Sequence, residues 1–217
     1  MKEPILKELT TPLARELGEY TLLKNDIEES FRVMKLWFEK YAGRKKHELT
    51  KEEELIALSL FRNAVIMFVG CFDESAEVSL SASAIYGSKV GGMEFFKWLK
   101  DIRDSYAAHK FGPLRQCPVG VLMDETGNIL GGGHQIQIYA GPVASSKELI
   151  LSFISVAGRF IERKVAELAT QLLQDAKKMS AVELAALKAA RVYDVPPHQY
   201  RTSREAFLRS LRDGDKG

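Results

Sequence analysis

The sequence has little of three features that would narrow its function at once. Its 217 residues include only two cysteines, Cys71 and Cys117, which excludes a disulfide framework and a paired-cysteine zinc motif. The 31 lysines and arginines nearly balance 29 aspartates and glutamates, so the net charge of +2 is too small for whole-molecule attraction of a polyanion. No uncharged apolar run approaches the ~18 residues that span a bilayer, and the first twenty residues show no secretion-signal core. We therefore expect a cytoplasmic protein with no membrane partner.

The common catalytic motifs are also missing. The chain has no nucleophile elbow, no phosphate-binding loop, no dinucleotide fingerprint after a strand and no zinc-protease helix motif. The histidines are scattered, and none pairs with a cysteine or carboxylate at ligand spacing on one helix face; they are His47, His109, His134 and His198. We therefore expect no metal site and no cofactor.

The composition is that of a globular protein, with 46% hydrophobic and 28% charged residues. Apolar residues recur at spacings of three and four, which is typical of helices with one buried face. This periodicity predicts helices over about 19–41, 50–71, 93–110 and 145–178, and a further one after residue 180. The Ser- and Gly-rich segment 73–92 fits a frayed helix or an ordered loop equally well.

A change of period after residue 118 predicts a β-hairpin. Apolar residues alternate over Val119–Met123, the sequence DETGN supplies turn residues, and Ile136 and Ile138 alternate again. The run Gly131–Gly133 predicts a bulge or bend before the second arm becomes regular. The fold prediction is mainly α, an antiparallel helical bundle over residues 1–195 with one inserted β-hairpin at about 118–141. A basic C-terminal tail over 196–217 follows.

Three pairs of residues predict where helices begin. A Ser or Thr followed three residues later by Glu forms a capping box, in which each side chain bonds the backbone of the other residue. The pairs are Thr50 with Glu53, Ser145 with Glu148, and Ser180 with Glu183.

The segment DIRDSYAAHKFG, residues 101–112, is the most informative for chemistry. Arg103, Tyr106 and His109 are three residues apart, so they climb a slanted strip on one helix and their side chains can converge. His109 lies in the last turn before Gly112 and Pro113, where the backbone is free to fray or tighten. A guanidinium and a titratable imidazole are thus predicted to face one cavity.

An Arg followed by a polar residue, with a His a few positions later at the end of a helix in an α-bundle, resembles the HEPN superfamily. The family signature is Arg, four to six residues, then His, and Arg103 and His109 are separated by five. The resemblance covers about residues 19–112 and the helix from Ser145. It implies metal-independent RNA cleavage, usually at a dimer interface that brings two motifs together, so RNA and a second copy of the chain are the expected partners.

The chemistry of these residues is consistent with that activity. His109 would exchange protons with the ribose 2′-hydroxyl or the leaving oxygen, and Arg103 would stabilise charge on the phosphoryl oxygens. Asp104 would orient either group, although an acid also repels phosphate. The predicted catalytic residues are Arg103, His109 and Asp104, and the predicted RNA-binding residues are Tyr106, Lys100, Lys110 and Arg115.

Two other interpretations remain open. The spacing alone is not specific, because Arg191 and His198 also match it with Pro196 and Pro197 between them. In a non-catalytic dimerisation or interaction module, Arg103 would pair with a nearby carboxylate and His109 would close its helix. A more distant interpretation is a small-molecule or metal enzyme that uses the glycine-rich hairpin. If the chain is a nuclease, it fits a toxin or defence effector held inactive by an inhibitory protein partner.

Overall fold

Helices make up most of the fold. The computed structural model describes residues 6–107, 115–116, 119–134, 137–138 and 141–190. Contacts divide the chain into two compact units, Thr11–Lys177 and a smaller unit formed by Met1–Thr10 with Lys178–Gly217. The predicted domain boundary at residue 195 and the basic tail over 196–217 lie outside the described residues.

The mainly α fold with one inserted hairpin is confirmed. None of the described helices is both long and apolar enough to cross a membrane. The helices are α1 (Pro12–Lys40), α2 (Lys51–Gly70), α3 (Ala82–Tyr86), α4 (Gly92–Ala107), α5 (Lys147–Lys178) and α6 (Ala181–Ala186). The strands are β1 (Arg115–Gln116), β2 (Val119–Met123), β3 (Ile129–His134) and β4 (Gln137–Ile138).

Helix α1 begins earlier than its apolar stripe predicts. Thr11 caps it, with the Thr11 hydroxyl accepting from the Ala14 N–H at 3.2 Å, and Pro12 occupies the first helical position. Proline suits that position because its missing N–H would have no helical partner there and its φ is already helical. Pro12 therefore marks the start of the helix, before the predicted boundary at about residue 19.

Two of the three predicted capping boxes are present. Thr50 caps α2 and Ser180 caps α6, each with the Glu three residues later returning a bond to the cap backbone. The third prediction is wrong, because α5 begins at Lys147 and continues from a 3-10 turn over Ala144–Ser146. Ser145 lies inside that turn, where its backbone is already helical and its side chain cannot cap the long helix.

The core of the larger unit lies between α1, α2, α4 and α5. Ser30 of α1 is fully buried and its hydroxyl donates to the Ala64 carbonyl of α2 at 2.8 Å, which ties the two helices together. The buried apolar side chains from these helices include Ile27, Met34, Phe61, Phe68, Leu99, Ile102, Ile154 and Ile161. This layer positions α4, the helix that carries Arg103.

The segment 73–92, whose composition fits a frayed helix or a loop, is an ordered connection between α2 and α4. After α2 the chain turns at Asp73, Leu80 enters the core, and the short helix α3 follows with Ser81 as its cap. Tyr86 at the end of α3 is completely buried, and its hydroxyl donates to the Phe153 carbonyl of α5 at 3.0 Å. Its ring stacks on the Phe153 ring, with the centroids 3.9 Å apart. Apolar contact therefore orders this segment without a long helix.

The hairpin is an antiparallel ribbon. Strand β2 pairs with β3 from Val119 opposite His134 to Met123 opposite Ile129, and β1 pairs with β4. The glycines 131–133 lie inside the regular ladder opposite residues 120–122, whereas the register shift skips Leu130. The predicted bulge is thus one residue before the glycines. Asp124 holds the turn by accepting from the N–H groups of Thr126 and Asn128.

In the smaller unit, Lys7 forms an isolated antiparallel bridge with Ala189, and its ammonium donates to the Leu187 carbonyl at 2.7 Å. The backbone around residue 7 is therefore paired with the segment that follows α6.

Candidate functional site

Arg103 lies on the edge of the buried face of α4. Leu99 and Ile102 on the same helix are almost fully buried, and they fix the rotation of α4 against the core. One residue after Ile102, the Arg103 side chain is 26% exposed. The helix therefore keeps the arginine stem against the protein while part of the side chain still reaches solvent.

Asp104 is the direct partner of this arginine. The Arg103 Nε lies 2.7 Å from the Asp104 Oδ1, and Nε itself is buried. The contact is an ion pair in which the Nε–H does not form a hydrogen bond. No ion pair joins Asp104 to any other cation in the part of the chain that the structure describes. Arg103 and Asp104 thus form an ion pair, which fits both the orienting role expected of Asp104 and a purely structural contact.

A second carboxylate, that of Asp73, is close enough to α4 for positive charges on that helix to affect its pKa. Its Oδ1 accepts from the backbone N–H of Ser75 at 3.0 Å and from the Ser75 hydroxyl at 2.8 Å. These two bonds, and then the positive charges of Arg103 and Lys100, hold the pKa of the Asp73 carboxyl below its usual value. Asp73 is exposed and therefore ionised at neutral pH.

The positive and negative charges around Arg103 on α4 balance. Lys100 is exposed and precedes Arg103 by three residues, so the two cations share one side of α4. Asp73 and Asp104 supply two negative charges close to them. The described part of the site is therefore close to neutral, and any attraction for RNA has to come from specific contacts rather than from a general positive potential.

Four predicted site residues are described only in part or lie outside the described residues. His109 and Lys110 lie outside the described residues. For Tyr106 in α4 and Arg115 in β1, only the backbone is described. The structure thus brings Arg103, Asp104 and Lys100 onto one helix, and the distance from Arg103 to His109 stays a prediction.

Asp73 is the residue near Arg103 that sequence reasoning missed. The signal available in the sequence was the Asp-x-Ser turn that follows α2. That signal predicts a turn, but it carries no information about which distant helix the turn lies against.

Two cavities in the larger unit lie away from this surface. One of about 460 Å³ lies between α1 and α5, and one of about 570 Å³ lies near the loop between α1 and α2. Neither is lined by Arg103, Asp104 or Lys100. Over the residues that the structure describes, no group of three or more His, Cys, Asp or Glu side chains could hold a metal ion.

Comparison with known proteins gives no relative: no protein-family model, no curated protein and no solved structure matches the chain. The resemblance to the HEPN superfamily therefore rests on the Arg103–His109 spacing and on the position of Arg103 in a helix of a mainly α fold.

Proposed function

We propose that the chain is a HEPN-like, metal-independent endoribonuclease in which Arg103 and His109 act on one phosphodiester. The observation that carries the proposal is the way in which Arg103 is held. Its Nε is buried beside Asp104, and neither Nη group bonds to a described residue. A guanidinium whose Nε is buried beside an ion-pair partner has its two Nη groups available for a bidentate contact with phosphate.

The reaction that fits these groups needs no metal. The ribose 2′-hydroxyl loses its proton to one imidazole as its oxygen attacks phosphorus, and the 5′-oxygen leaves with a proton from an acid. The products are a 2′,3′-cyclic phosphate and a 5′-hydroxyl. Arg103 would stabilise the negative charge on the phosphoryl oxygens, and Asp104 would act as a positioning residue through the Arg103 Nε.

The proposal includes a homodimer, because one imidazole cannot be base and acid in the same step. Two copies of His109 at one interface would divide these duties. An inhibitory protein partner belongs to the same proposal, since a cell that contains an unspecific ribonuclease has to restrain it.

The test uses the full chain with a labelled RNA pool in the presence of EDTA. We expect cleavage that leaves 2′,3′-cyclic phosphate ends and no cleavage of the same sequences as DNA. His109→Ala should lower the rate about 100-fold or more. Arg103→Lys should lower it as well, because lysine cannot replace the planar guanidinium.

Matched controls separate a site effect from an unspecific one. His47 is an exposed histidine in the loop after α1, and Arg32 is an exposed arginine paired with Glu29 on α1. His47→Ala and Arg32→Lys should cleave at the wild-type rate. Equal rates for the wild type and His109→Ala, with both folded, would refute the proposal.

A non-catalytic interaction module is the second candidate, and the hairpin favours it. Every residue of β2 is exposed, and neither β2 nor β3 carries an acidic or a lysine or arginine side chain. Large apolar side chains on this ribbon are 55–79% exposed; they are Val119, Val121, Leu122, Met123, Ile129 and Leu130. Uncharged edge strands with exposed apolar side chains are typical of surfaces that pair with another chain.

This second candidate has its own measurement. We expect Leu122→Lys and Leu130→Lys together to shift the molar mass measured by light scattering from dimer to monomer if the hairpin pairs two copies. An unchanged mass for the double variant would exclude that role of the hairpin, whatever the result with RNA.

A further inference from the structure

The outer face of α2 lacks the charges that a helix in contact with water normally carries. From Leu55 to Phe72 the chain has a single charged residue, Arg62. Arg62 is half-buried with its Nε inside the protein, so its charge is not centred on the outer face. A surface helix usually places charged residues opposite its buried stripe. The outer face of α2 is therefore of the kind that proteins cover with another surface.

The exposed residues of this face follow the repeat of a coiled coil. They recur at alternating spacings of four and three, which keeps them in one line along the helix. Ile56 and Ile66 are each 40% exposed, and the polar and small residues in the same line are exposed as well. These residues, called the α2 seam below, are Glu52, Ile56, Ser59, Asn63, Ile66 and Gly70.

The α2 seam is symmetric about its centre near residue 61. Its spacings are the same when counted from either end, so an antiparallel second copy would place one seam residue opposite another along the whole helix. A two-fold interface needs this property, because each contact occurs twice with the two chains exchanged. The pairs are Ile56 with the partner's Ile66, Ser59 with the partner's Asn63, and Glu52 with the partner's Gly70.

Each of these pairs is chemically compatible. The two isoleucines would remove each other's exposed apolar surface from water. The Ser59 hydroxyl donates to the Leu55 carbonyl at 2.7 Å, so its oxygen is left to accept from the partner's Asn63 amide. A parallel pair would instead place two Glu52 carboxylates together and align the two helix dipoles. The antiparallel arrangement is therefore the favourable one.

Gly70 is an independent indication of a close neighbour. It is the last residue of α2, its φ is not positive, and a Cβ placed there would lie within 4 Å of no atom of another described segment. Neither the backbone conformation nor the packing of the described chain therefore requires glycine, although alanine would favour the helix more. Close approach of another molecule is a further reason for glycine in a helix.

We propose that α2 forms an interface between two copies of this chain, which pack antiparallel along the α2 seam. The helix has 20 residues, so the contact extends over about 30 Å. One pair of helices buries less surface than a standard protein–protein interface, and we expect a dissociation constant in the micromolar range.

This interface is separate from the one at which two copies of His109 would meet. Asp73 follows α2, and the charge of Arg103 acts on its carboxylate. The two copies of Arg103 would therefore lie near opposite ends of the helix pair, and the proposal does not depend on RNA cleavage.

Disulfide cross-linking tests the register, in a Cys117→Ser background where the remaining Cys71 is buried. One variant carries Ile56→Cys and a second carries Ile66→Cys. We expect a mixture of the two to form a covalent dimer, because these positions lie opposite each other. Either variant alone should not, because its own position in the partner would be about 15 Å away along the helix.

Charged substitutions test the same register without a covalent bond. Ser59 and Asn63 are exposed, so their variants are expected to fold. Ser59→Glu with Asn63→Glu places like charges opposite each other and should halve the molar mass measured by light scattering at about 0.1 mM. Ser59→Lys with Asn63→Glu places opposite charges there and should restore the wild-type mass. Thr170→Glu with Gln174→Glu, at two exposed positions four apart on α5, is the matched control and should leave the mass unchanged.

Three results would overturn the proposal. They are a wild-type mass of a single chain at about 0.1 mM, a mass that Ser59→Glu with Asn63→Glu does not change, and cross-linking of either cysteine variant alone as fast as that of the mixture. If the α2 seam binds the hairpin or a different protein instead of a second copy, one of the first two results follows.

Discussion

The buried hydroxyl of Tyr86 allows a quantitative test of how α3 is attached to α5. It donates to the Phe153 carbonyl at 3.0 Å, and the side chain is completely buried. Within α5 that carbonyl also accepts the N–H four residues later, so Tyr86→Phe leaves it satisfied. We therefore expect a loss of about 1 kcal/mol in the free energy of unfolding. For a chain of this length, that corresponds to a fall of roughly 2–4 °C in Tm.

Removing the ring as well should have a much larger effect. The Tyr86 and Phe153 rings are stacked with an interplanar angle of 9° and centroids 3.9 Å apart. Tyr86→Ala would leave a cavity among buried aromatic residues, and we expect it to cost about 3–5 kcal/mol. The ratio of the two losses measures how much of the attachment comes from packing and how much from the hydrogen bond.

The assay is urea unfolding followed by circular dichroism, with the slope of free energy against urea compared among variants. Tyr20→Phe is the matched control, because the Tyr20 hydroxyl bonds to no described residue while its ring keeps the Lys164 ammonium at 5.4 Å. It should change stability by less than about 0.5 kcal/mol. A Tyr86→Phe variant as stable as the wild type, or as unstable as Tyr86→Ala, would contradict the assigned hydrogen bond.

The same residue predicts a dependence on pH. Burial raises the pKa of the Tyr86 hydroxyl above its ordinary value of 10.0, because the charged phenolate is poorly solvated inside the protein. Above pH 10 the unfolded chain releases this proton while the folded chain retains it, so stability is present below pH 10 and falls as the pH rises. Tyr86→Phe should flatten that fall, which stability measurements from pH 9 to 11 would show.

Three further predictions concern other elements. Thr50→Ala removes the capping box of α2 and should lower the free energy of unfolding by about 1 kcal/mol in urea titrations, with Glu53→Ala giving part of the same loss. Ser30→Ala removes the buried bond to the Ala64 carbonyl and should also cost about 1 kcal/mol, whereas no change would show that the two helices do not depend on it. Burial raises the pKa of the Cys71 thiol from 9.0 to about 12, so in a Cys117→Ser background it should react with a thiol reagent at pH 8 only after unfolding.

Much of the helical fold could be predicted because it depends on short-range patterns. The capping boxes at Thr50 and Ser180 involve residues three apart, and the apolar stripes reflect one helical turn. The start of α1 lies before the predicted boundary at about residue 19, because the Thr11 cap and Pro12 set it and the apolar stripe begins later. The capping box predicted at Ser145 was wrong because Ser145 lies inside the 3-10 turn that precedes α5, and is not the residue at which a helix begins.

Less of the candidate site could be predicted. The sequence indicated that Arg103 and Asp104 are adjacent on a helix. Their ion pair could be expected because it joins neighbouring residues. It did not indicate that the charges of Arg103 and Lys100 act on Asp73, because the turn after α2 and the helix α4 are distant in sequence.

The sequence by itself therefore determined the helix class, most helix spans, two caps and the hairpin turn. In each of these, hydrogen bonds and side-chain contacts join residues close together in the chain. Only the tertiary structure decided that Tyr86 bonds Phe153, that Gly141 packs on the Trp37 indole, and that Asp73 approaches α4. These contacts join distant segments, and they exist because burying the apolar faces of the helices fixes how the segments meet.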